Sequence, residues 1–516
     1  MNYSKIPPIE SPIPADRQGA KRHYGVHPYF TRRPFNVVRD YIHHFSKEGD
    51  RVLDPFGGSG VTAIEAFLEG RVGIHNDINP LANFIAQGIA DLYKGDVSEF
   101  RVALHRLEAR CKNTLKQIRC ADEASLTEIQ KNVRLPENIP LPRTADVKNY
   151  HDLFTQRQLI SLATLKDAID EIENNDARKA MLLAWSATLA KLNKTFLSAE
   201  GRAESRGGSS IFSIYRYKVA REPVELQAWE TFFERASNII SAKKEINLAI
   251  KAKELTNRSR GEFIVYSEDI ESLSLKLPDS IDYIFTDPPY GGHISYLDLS
   301  TLWNSWLGIL PSASDREKEL IVGGEMSFTE SHYIQRLGSS IEACVRMLKQ
   351  GRWLSIVFQH WNTSYFEAIL SSAAEAGAEL RAAVSQVGDP IWSMHKKKNK
   401  DSVLAGELIL TFFKTGEGSV ARKDGSFDVA FAVEEILNQA GGQIYGESLF
   451  NKLVIRAWKA SAIQSLKISK VEFTNLLEER GWRYDPANHS WTRNGRVDRM
   501  LFDAPDDVRD AGHTSE

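Results

Sequence analysis

Cysteine is scarce: Cys111, Cys120 and Cys344 are the only three in 516 residues, and they are widely spaced. That excludes a disulfide framework and a thiolate metal site, and it fits a reducing compartment. Long hydrophobic runs are also lacking, near the N-terminus and elsewhere, so a cytoplasmic protein with no membrane partner is expected. Charge of one sign is not in excess. The 65 Lys and Arg nearly balance the 68 Asp and Glu, for a net charge of −3. Such a sum does not advertise a polyanionic partner, although an acidic body can carry a basic cleft. No internal repeat is found, and His43, His44 and His360 show no ligand spacing, so no metal site is expected. What remains is 42% hydrophobic and 26% charged, the composition of a soluble globular protein. A chain of this length exceeds one ordinary core, and two to three domains are expected.

Two segments carry chemistry. In the first, Asp50–Asp54 reads as a short apolar strand running into Pro55-Phe56-Gly57-Gly58-Ser59-Gly60, followed by a helix from Val61 that stops at Gly70. Glycines let such a turn bend sharply and approach a ligand, with helix N-terminal amides facing it. A second strand, Arg71–Asn76, ends at Asp77. An acid about 20 residues beyond the glycines is placed to grip ribose hydroxyls. Gly58, Gly60 and Ala63 also satisfy the dinucleotide fingerprint of dehydrogenases. Against that reading, Asp54 stands where it would repel a pyrophosphate but welcome a sulfonium or amino group. S-adenosylmethionine suits the pattern better.

In the second, Ile281–Phe285 reads as a buried strand that delivers Thr286-Asp287-Pro288-Pro289-Tyr290 at its C-terminal end. The prolines stiffen the exit and aim the Pro288 carbonyl outward. Asp287 and that carbonyl together can accept both hydrogens of an exocyclic amine, with Tyr290 stacked on the ring. A proline-stiffened loop with a solvated Asp is the plainer alternative for this segment taken alone.

Phe56-x-Gly58-x-Gly60 followed by Asp287-Pro288-Pro289-Tyr290 resembles the DNA amino-methyltransferases, which modify adenine N6 or cytosine N4. The resemblance extends to Asp77-Ile78-Asn79-Pro80, to His27-Pro28-Tyr29-Phe30 with the helix-like stretch from Asn36 to Ile42, and to Met347–Arg352 before Trp353–Phe358. It implies a Rossmann-like, seven-stranded α/β methyltransferase sheet and S-adenosylmethionine as cofactor. His27 and Tyr29 would close over the methionine end of that cofactor, and Asp54 to Gly60, Asp77 and Ile78 would line its site. Asp269 would lie beside its adenine, although the same residue reads equally well as an ordinary helix cap. Carbon-5 methylation of cytosine is unlikely on composition, because it needs a thiolate usually presented after a proline. Here Arg110, Arg119 and Ala343 precede the three thiols.

Asp rather than Ser at 287 leans toward adenine N6. Cytosine N4 and guanine N2 of tRNA stay open, as does a non-catalytic nucleic-acid-binding subunit. Double-stranded DNA is the expected partner, with RNA as an alternative and a cognate nuclease or other defence subunits, as in restriction–modification, suggested by the resemblance alone.

Along the chain, residues 1–24 are Pro-rich and irregular, 25–95 form the first half of the core, and 260–415 the second. Residues 96–259 read as a mostly helical insertion, and 416–516 as a small C-terminal α+β domain of two helices and a hairpin. That domain would serve as a DNA reader or an oligomerisation module. Candidate nucleic-acid contacts are Arg202, Arg206, Arg216 and Lys218 around a Gly/Ser stretch, the run Lys396, Lys397 and Lys398, and His293 and Tyr296 near the base. Trp303 and Trp306 are expected in the core.

Overall fold

The computed structural model describes residues 2–16, 21–197, 208–220, 224–255, 261–292, 294–360, 362–386, 407–418, 427–440, 443–466, 470–485 and 490–493. Contacts divide the chain into two compact units, Met1–Arg422 and Lys423–Glu516.

The first unit is built on seven strands: β1 (Arg51–Asp54), β2 (Val72–Asn76), β5 (Glu262–Tyr266), β6 (Ile281–Thr286), β7 (Leu348–Phe358), β8 (Ala378–Gln386) and β9 (Glu407–Lys414). Two-residue strands β3 (Phe196–Leu197) and β4 (Gly208–Ser209) form a separate ribbon. The spatial order is β5-β2-β1-β6-β7-β9-β8. The first five strands run parallel and β9 is reversed. This is the Rossmann-like, seven-stranded methyltransferase sheet that the resemblance implies.

Burial explains why the strands read as they do. Every residue of β6 is buried, as a parallel strand covered on both faces requires, so its sequence is nearly continuous in apolar residues. β1 lies between β2 and β6, with Leu53 opposite Ile74 on one side and Ile284 on the other. The chain turns outward in opposite directions from β1 and β6. In such sheets the crevice at the carboxyl ends of those two strands is where ligands bind.

Helices Phe35–Phe45 and Val61–Leu68 pack beside this crevice, and helix Pro80–Asp91 follows β2. Asn79 caps the last of these by accepting from the Leu81 amide, with Pro80 in the first helical turn. Between β2 and β5 come helices Val97–Cys120, Glu123–Gln130, Gln156–Asp170, Asn175–Thr188 and Ala228–Leu255. This stretch shares one continuous apolar core with the sheet. It is sewn to helix Tyr296–Leu307 by buried polar bonds. Tyr150 Oη donates to the Leu302 carbonyl at 2.6 Å, Tyr217 Oη to the Leu299 carbonyl at 2.7 Å, and Trp303 Nε1 to the Ser186 carbonyl at 3.1 Å. Trp303 and Trp306 are both buried there. Full burial of a large side chain contributes about 1.5–3 kcal/mol, so these rings bind the helical layer firmly to the sheet.

The N-terminal segment, expected to be irregular, holds short 3-10 turns at Tyr3–Lys5 and Arg22–Gly25 and is well tied down. Tyr3 is buried, its hydroxyl donates to Asp50, and the Arg352 guanidinium lies 3.6 Å from its ring centroid. Ile13 N donates to Gln386 Oε1 at 3.1 Å.

The second unit holds helices Val429–Gln439, Gly446–Lys459 and Lys470–Glu478 with strands β10 (Gln443–Tyr445), β11 (Trp482–Asp485) and β12 (Ser490–Arg493). The sheet order is β10-β12-β11, antiparallel throughout. Helix Gly446–Lys459 and the three-residue β10 are additions to the two helices and hairpin expected from the sequence. The last helix ends at Glu478. Gly481, at φ +78°, turns the chain, and Trp482 begins β11. Among the described residues no helix is long and apolar enough to cross a membrane.

Candidate functional site

Adjacent parallel strands deliver the two chemical segments to one crevice. Asp54 ends β1 and Thr286 ends β6, and Thr286 Oγ1 donates to Asp54 Oδ1 at 2.8 Å. Thr62 Oγ1 donates to Asp54 Oδ2 at 2.9 Å, and the Phe56 amide to Oδ1 at 3.2 Å. Burial pushes the Asp54 carboxyl up to about 7, against the pull of these donors.

One cavity opens beyond them, with an empty volume of about 1030 Å³ that includes its open mouth. The glycine turn lines it through Pro55, Phe56, Gly57, Gly58 and Ser59. The end of β2 adds Asp77 and Ile78, and the β6 exit adds Asp287 and Pro289. Gly58 takes φ +50°, and a Cβ there would stand 3.1 Å from the Tyr29 ring, so glycine is what permits the turn to nest under that tyrosine. Asp77 Oδ2 accepts from the Gly58 amide and Oδ1 from the Asn79 amide, each at 2.8 Å. Its carboxyl thereby stitches the glycine turn to β2, and burial raises it to about 6.

The near wall comes from residues 27–34. Tyr29 and Arg32 line the cavity, and Arg32 Nε donates to Ser59 Oγ at 3.0 Å, tying this segment to the glycine turn. Tyr296, also on the wall, lies nearly parallel to Tyr29 with ring centroids 6.4 Å apart. Glu319 contributes a buried acid that burial pushes up to about 8, and its Oε1 accepts from the Leu297 amide at 3.2 Å.

At the Asp287 end, both carboxylate oxygens are engaged. Arg33 Nε donates to Oδ2 at 2.6 Å and the Tyr290 hydroxyl donates to Oδ1. Arg33 also donates to the Tyr290 hydroxyl and pairs with Glu407 at the start of β9. Burial raises the Asp287 carboxyl while Arg33 opposes it. Tyr290 rests edge-on against Phe358, centroids 5.2 Å apart at 81°. The Tyr333 hydroxyl donates to the Pro289 carbonyl.

Several residues named from the sequence stand elsewhere. His27 is wholly buried and does not line the cavity. Its Nε2 meets Ser186 Oγ at 3.0 Å and its ring packs against Trp303, so it anchors the loop that carries Tyr29. Burial lowers its pKa to about 3 and keeps it neutral. Gly60 also turns away from the cavity. It precedes helix Val61–Leu68 at φ +87°, where a Cβ would stand 2.7 Å from Ala86 Cβ. Pro288 is buried and off the lining. Tyr290 is off it too, since its hydroxyl is drawn to Asp287 and Arg33. Asp269 does line the cavity, but it caps helix Ile270–Lys276 and pairs with Lys318 at 2.8 Å, so its carboxylate is already occupied.

Arg216 is drawn down to Asp146 and the Thr144 carbonyl, and Lys218 is exposed. Arg202, Arg206, His293, Lys396, Lys397 and Lys398 lie outside the described residues. The sequence reading missed Arg32, Arg33, Glu319 and Glu407. The pair Arg32-Arg33, one residue beyond His27-Pro28-Tyr29-Phe30, was the available signal for the first two.

The family model described as DNA methylase (N6_N4_Mtase) matches residues 10–86, which takes in the glycine turn and Asp77 but stops short of Asp287. The chain is 23% identical over 272 residues to the Type II methyltransferase M.MvaI of Kocuria varians, covering 50% of this chain and 51% of that one. It is 23% identical over 335 residues to the Type II methyltransferase M.MjaII of Methanocaldococcus jannaschii, covering 55% and 62%. The matches thus span between half and two thirds of these relatives. A solved antibiotic-resistance methyltransferase, Kmr, aligns with a TM-score of 0.18 and 15% identity over 34% of this chain and 73% of that one, too slight a likeness to add to the topology. By its family-model match and these two relatives, the chain is similar to the DNA amino-methyltransferases, as its paired motifs indicate.

Proposed function

We propose that the protein transfers a methyl group from S-adenosylmethionine to the exocyclic amine of a base in double-stranded DNA, adenine N6 being the favoured target. The observation that carries this reading is a single cavity lined by both the Gly58 turn and the Asp287 carboxylate.

The residues present fit that cofactor. Asp77 stands at the end of β2, where its carboxylate can take ribose hydroxyls. Phe56, Ile78 and Ile270 offer apolar surface to a purine, and Asp54 and Glu319, which burial raises to about 7 and about 8, are carboxyls that a bound sulfonium or amino group would draw into the ionised form. When bound, S-adenosylmethionine supplies an activated methyl group.

The chain's own part is to position the amine and receive its proton. A base in a duplex must be extruded, at a cost of a few kcal/mol. Stacking on Tyr290, worth roughly 1–3 kcal/mol per base for such contacts, offsets part of this. Tyr290 is braced from behind by Phe358, which suits it to that role. Asp287 accepts one amine hydrogen. The second falls to the carbonyl of Pro288, as read from the sequence; Pro289 and not Pro288 lines the cavity, so this contact needs the Asp287–Tyr290 exit to shift as the base enters. These acceptors localise the nitrogen lone pair toward the methyl group, and alignment does most of the remaining work. The amine becomes acidic only after alkylation. A buried Asp287 with a raised pKa is then a suitable proton acceptor.

Asp at 287 favours adenine. Incubation with labelled S-adenosylmethionine and either genomic DNA or tRNA, followed by nucleoside analysis, tests the proposal. N6-methyladenine supports it, N4-methylcytosine corrects the target, N2-methylguanosine moves the substrate to RNA, and failure with both substrates points to a binding subunit. Recognition by the C-terminal unit, within a restriction–modification or other defence system, belongs to the same proposal.

A further inference from the structure

Arg33 is 16% exposed and holds three partners at once: Asp287 through Nε, Tyr290 through Nη2 and Glu407 through Nη1. A planar guanidinium suits such a role, because its five donors are fixed in a fork. Each Asp287 oxygen thus carries one donor, Oδ2 from Arg33 and Oδ1 from the Tyr290 hydroxyl, and keeps a lone pair for another. A base amine can therefore reach Asp287 while Arg33 stays in place. Glu407 holds the far side of the guanidinium and so fixes its position against Asp287.

We propose that Arg33, anchored by Glu407, is the positioning residue of the transfer site, holding Asp287 ionised and aligned with Tyr290 as the base amine enters. This rests on the methyl-transfer reading above and assigns roles to two residues outside the motifs that suggested it. The groups acting on Asp287 from its surroundings are Arg33, Glu407, Tyr290, Asp54, Tyr296 and Tyr333. Arg33 is the cation among these described residues, so its loss leaves a half-buried carboxylate among acids and phenols. Such a carboxylate takes up a proton more readily and can no longer accept an amine hydrogen.

The test compares Arg33→Met, Arg33→Lys and Glu407→Gln with wild type, measuring kcat and KM for DNA from pH 5 to 9 at saturating S-adenosylmethionine. Cofactor affinity, measured by calorimetry, serves as the check on folding. For Arg33→Met, the acid limb of the kcat profile should move up by about one pH unit or more, a roughly tenfold loss at pH values below both limbs that is recovered as pH rises above them. Arg33→Lys, which keeps the charge, should hold its limb near the wild-type position. Glu407→Gln should raise KM for DNA more than it lowers kcat, because a guanidinium without its charged anchor leaves Asp287 less well placed to receive the base. An unchanged Arg33→Met profile, equal losses in both Arg33 variants at every pH, or a neutral Glu407→Gln would overturn the inference. If Arg33→Met does not bind cofactor, the Arg33→Lys limb and the Glu407→Gln KM decide. A wild type inactive on DNA would overturn the proposed function and this inference with it. An active wild type whose variants behave otherwise overturns this inference alone.

Discussion

Thr286 donates a 2.8 Å hydrogen bond to Asp54, joining the last residue of one central strand to the last residue of its neighbour. The glycine turn follows one of these residues and Asp287 the other, so this bond sets the distance between the two halves of the site. Thr286→Val should leave Asp54 Oδ1 with the longer Phe56 amide bond alone and cost about 0.5–1.5 kcal/mol of stability, the net worth of one hydrogen bond. Urea unfolding checks it. A variant as stable as wild type would show that the bond contributes nothing net.

Asp287→Ala should lower methyl transfer by about 10²–10⁴-fold, the range of a lost acid–base group, while S-adenosylmethionine binding changes little. Single-turnover rates and calorimetry separate the two effects. Full activity in the variant would refute the role given to this carboxylate.

Asp77→Ala should act in the opposite sense, weakening cofactor affinity about tenfold or more while kcat at saturating cofactor changes less. The loss of one hydrogen-bonded charged group accounts for that size. Part of it comes from freeing the Gly58 and Asn79 amides that Asp77 holds. Equal affinity in variant and wild type would remove Asp77 from the cofactor's binding set.

The pH dependence of stability carries a sign that can be checked. Asp54 has a folded-state pKa raised to about 7 from 3.8, so its proton stabilises the fold. Its contribution is fully present below about pH 4 and is lost as pH rises through about 7. Buried His23, His27 and His75, whose pKa values are lowered, act in the reverse direction below their ordinary value, so the total curve is not diagnostic. The difference between Asp54→Asn and wild type isolates the one group. Its Tm relative to wild type should rise with pH between about 4 and 7, and a flat difference would contradict the assignment.

Trp303→Ala should destabilise the protein by about 3–5 kcal/mol, as large-to-small changes in cores do. The indole bridges the helical layer and the helix after the Asp287 loop, so loss of packing there should also lower transfer. Thermal unfolding and activity measured together test both halves.

Legibility followed burial and local chemistry. β6 is readable because all six of its residues are buried, and the glycine turn because sharp bends demand glycine. Asp77 and Asp287 are readable because each directly follows a strand. Arg33 and Glu407 are not: Arg33 meets Asp287 from 254 residues away, and Glu407 meets Arg33 only once β9 pairs with β7. Glu319 is invisible for a similar reason: nothing local marks an acid that folding will bury. His27 misleads because its neighbour Tyr29 does face the cavity, while the turn between them sends the imidazole into the core. The helical stretch reads as a domain apart because periodicity cannot tell which of its faces meets Leu299, Leu302 and Trp303.

The pairing of β2 with β5 reaches across the whole helical stretch, from residue 76 to residue 262. During synthesis, at about 5–20 residues per second, the pair β1–β2 emerges many seconds before either of its flanking strands exists. Both outer edges of that young ribbon are then unpaired and prone to association. The intervening helices, rich in near-neighbour contacts, can form in the meantime and shield it. A ribosome-bound nascent chain halted before β5 should therefore engage chaperones more strongly than one halted after β7.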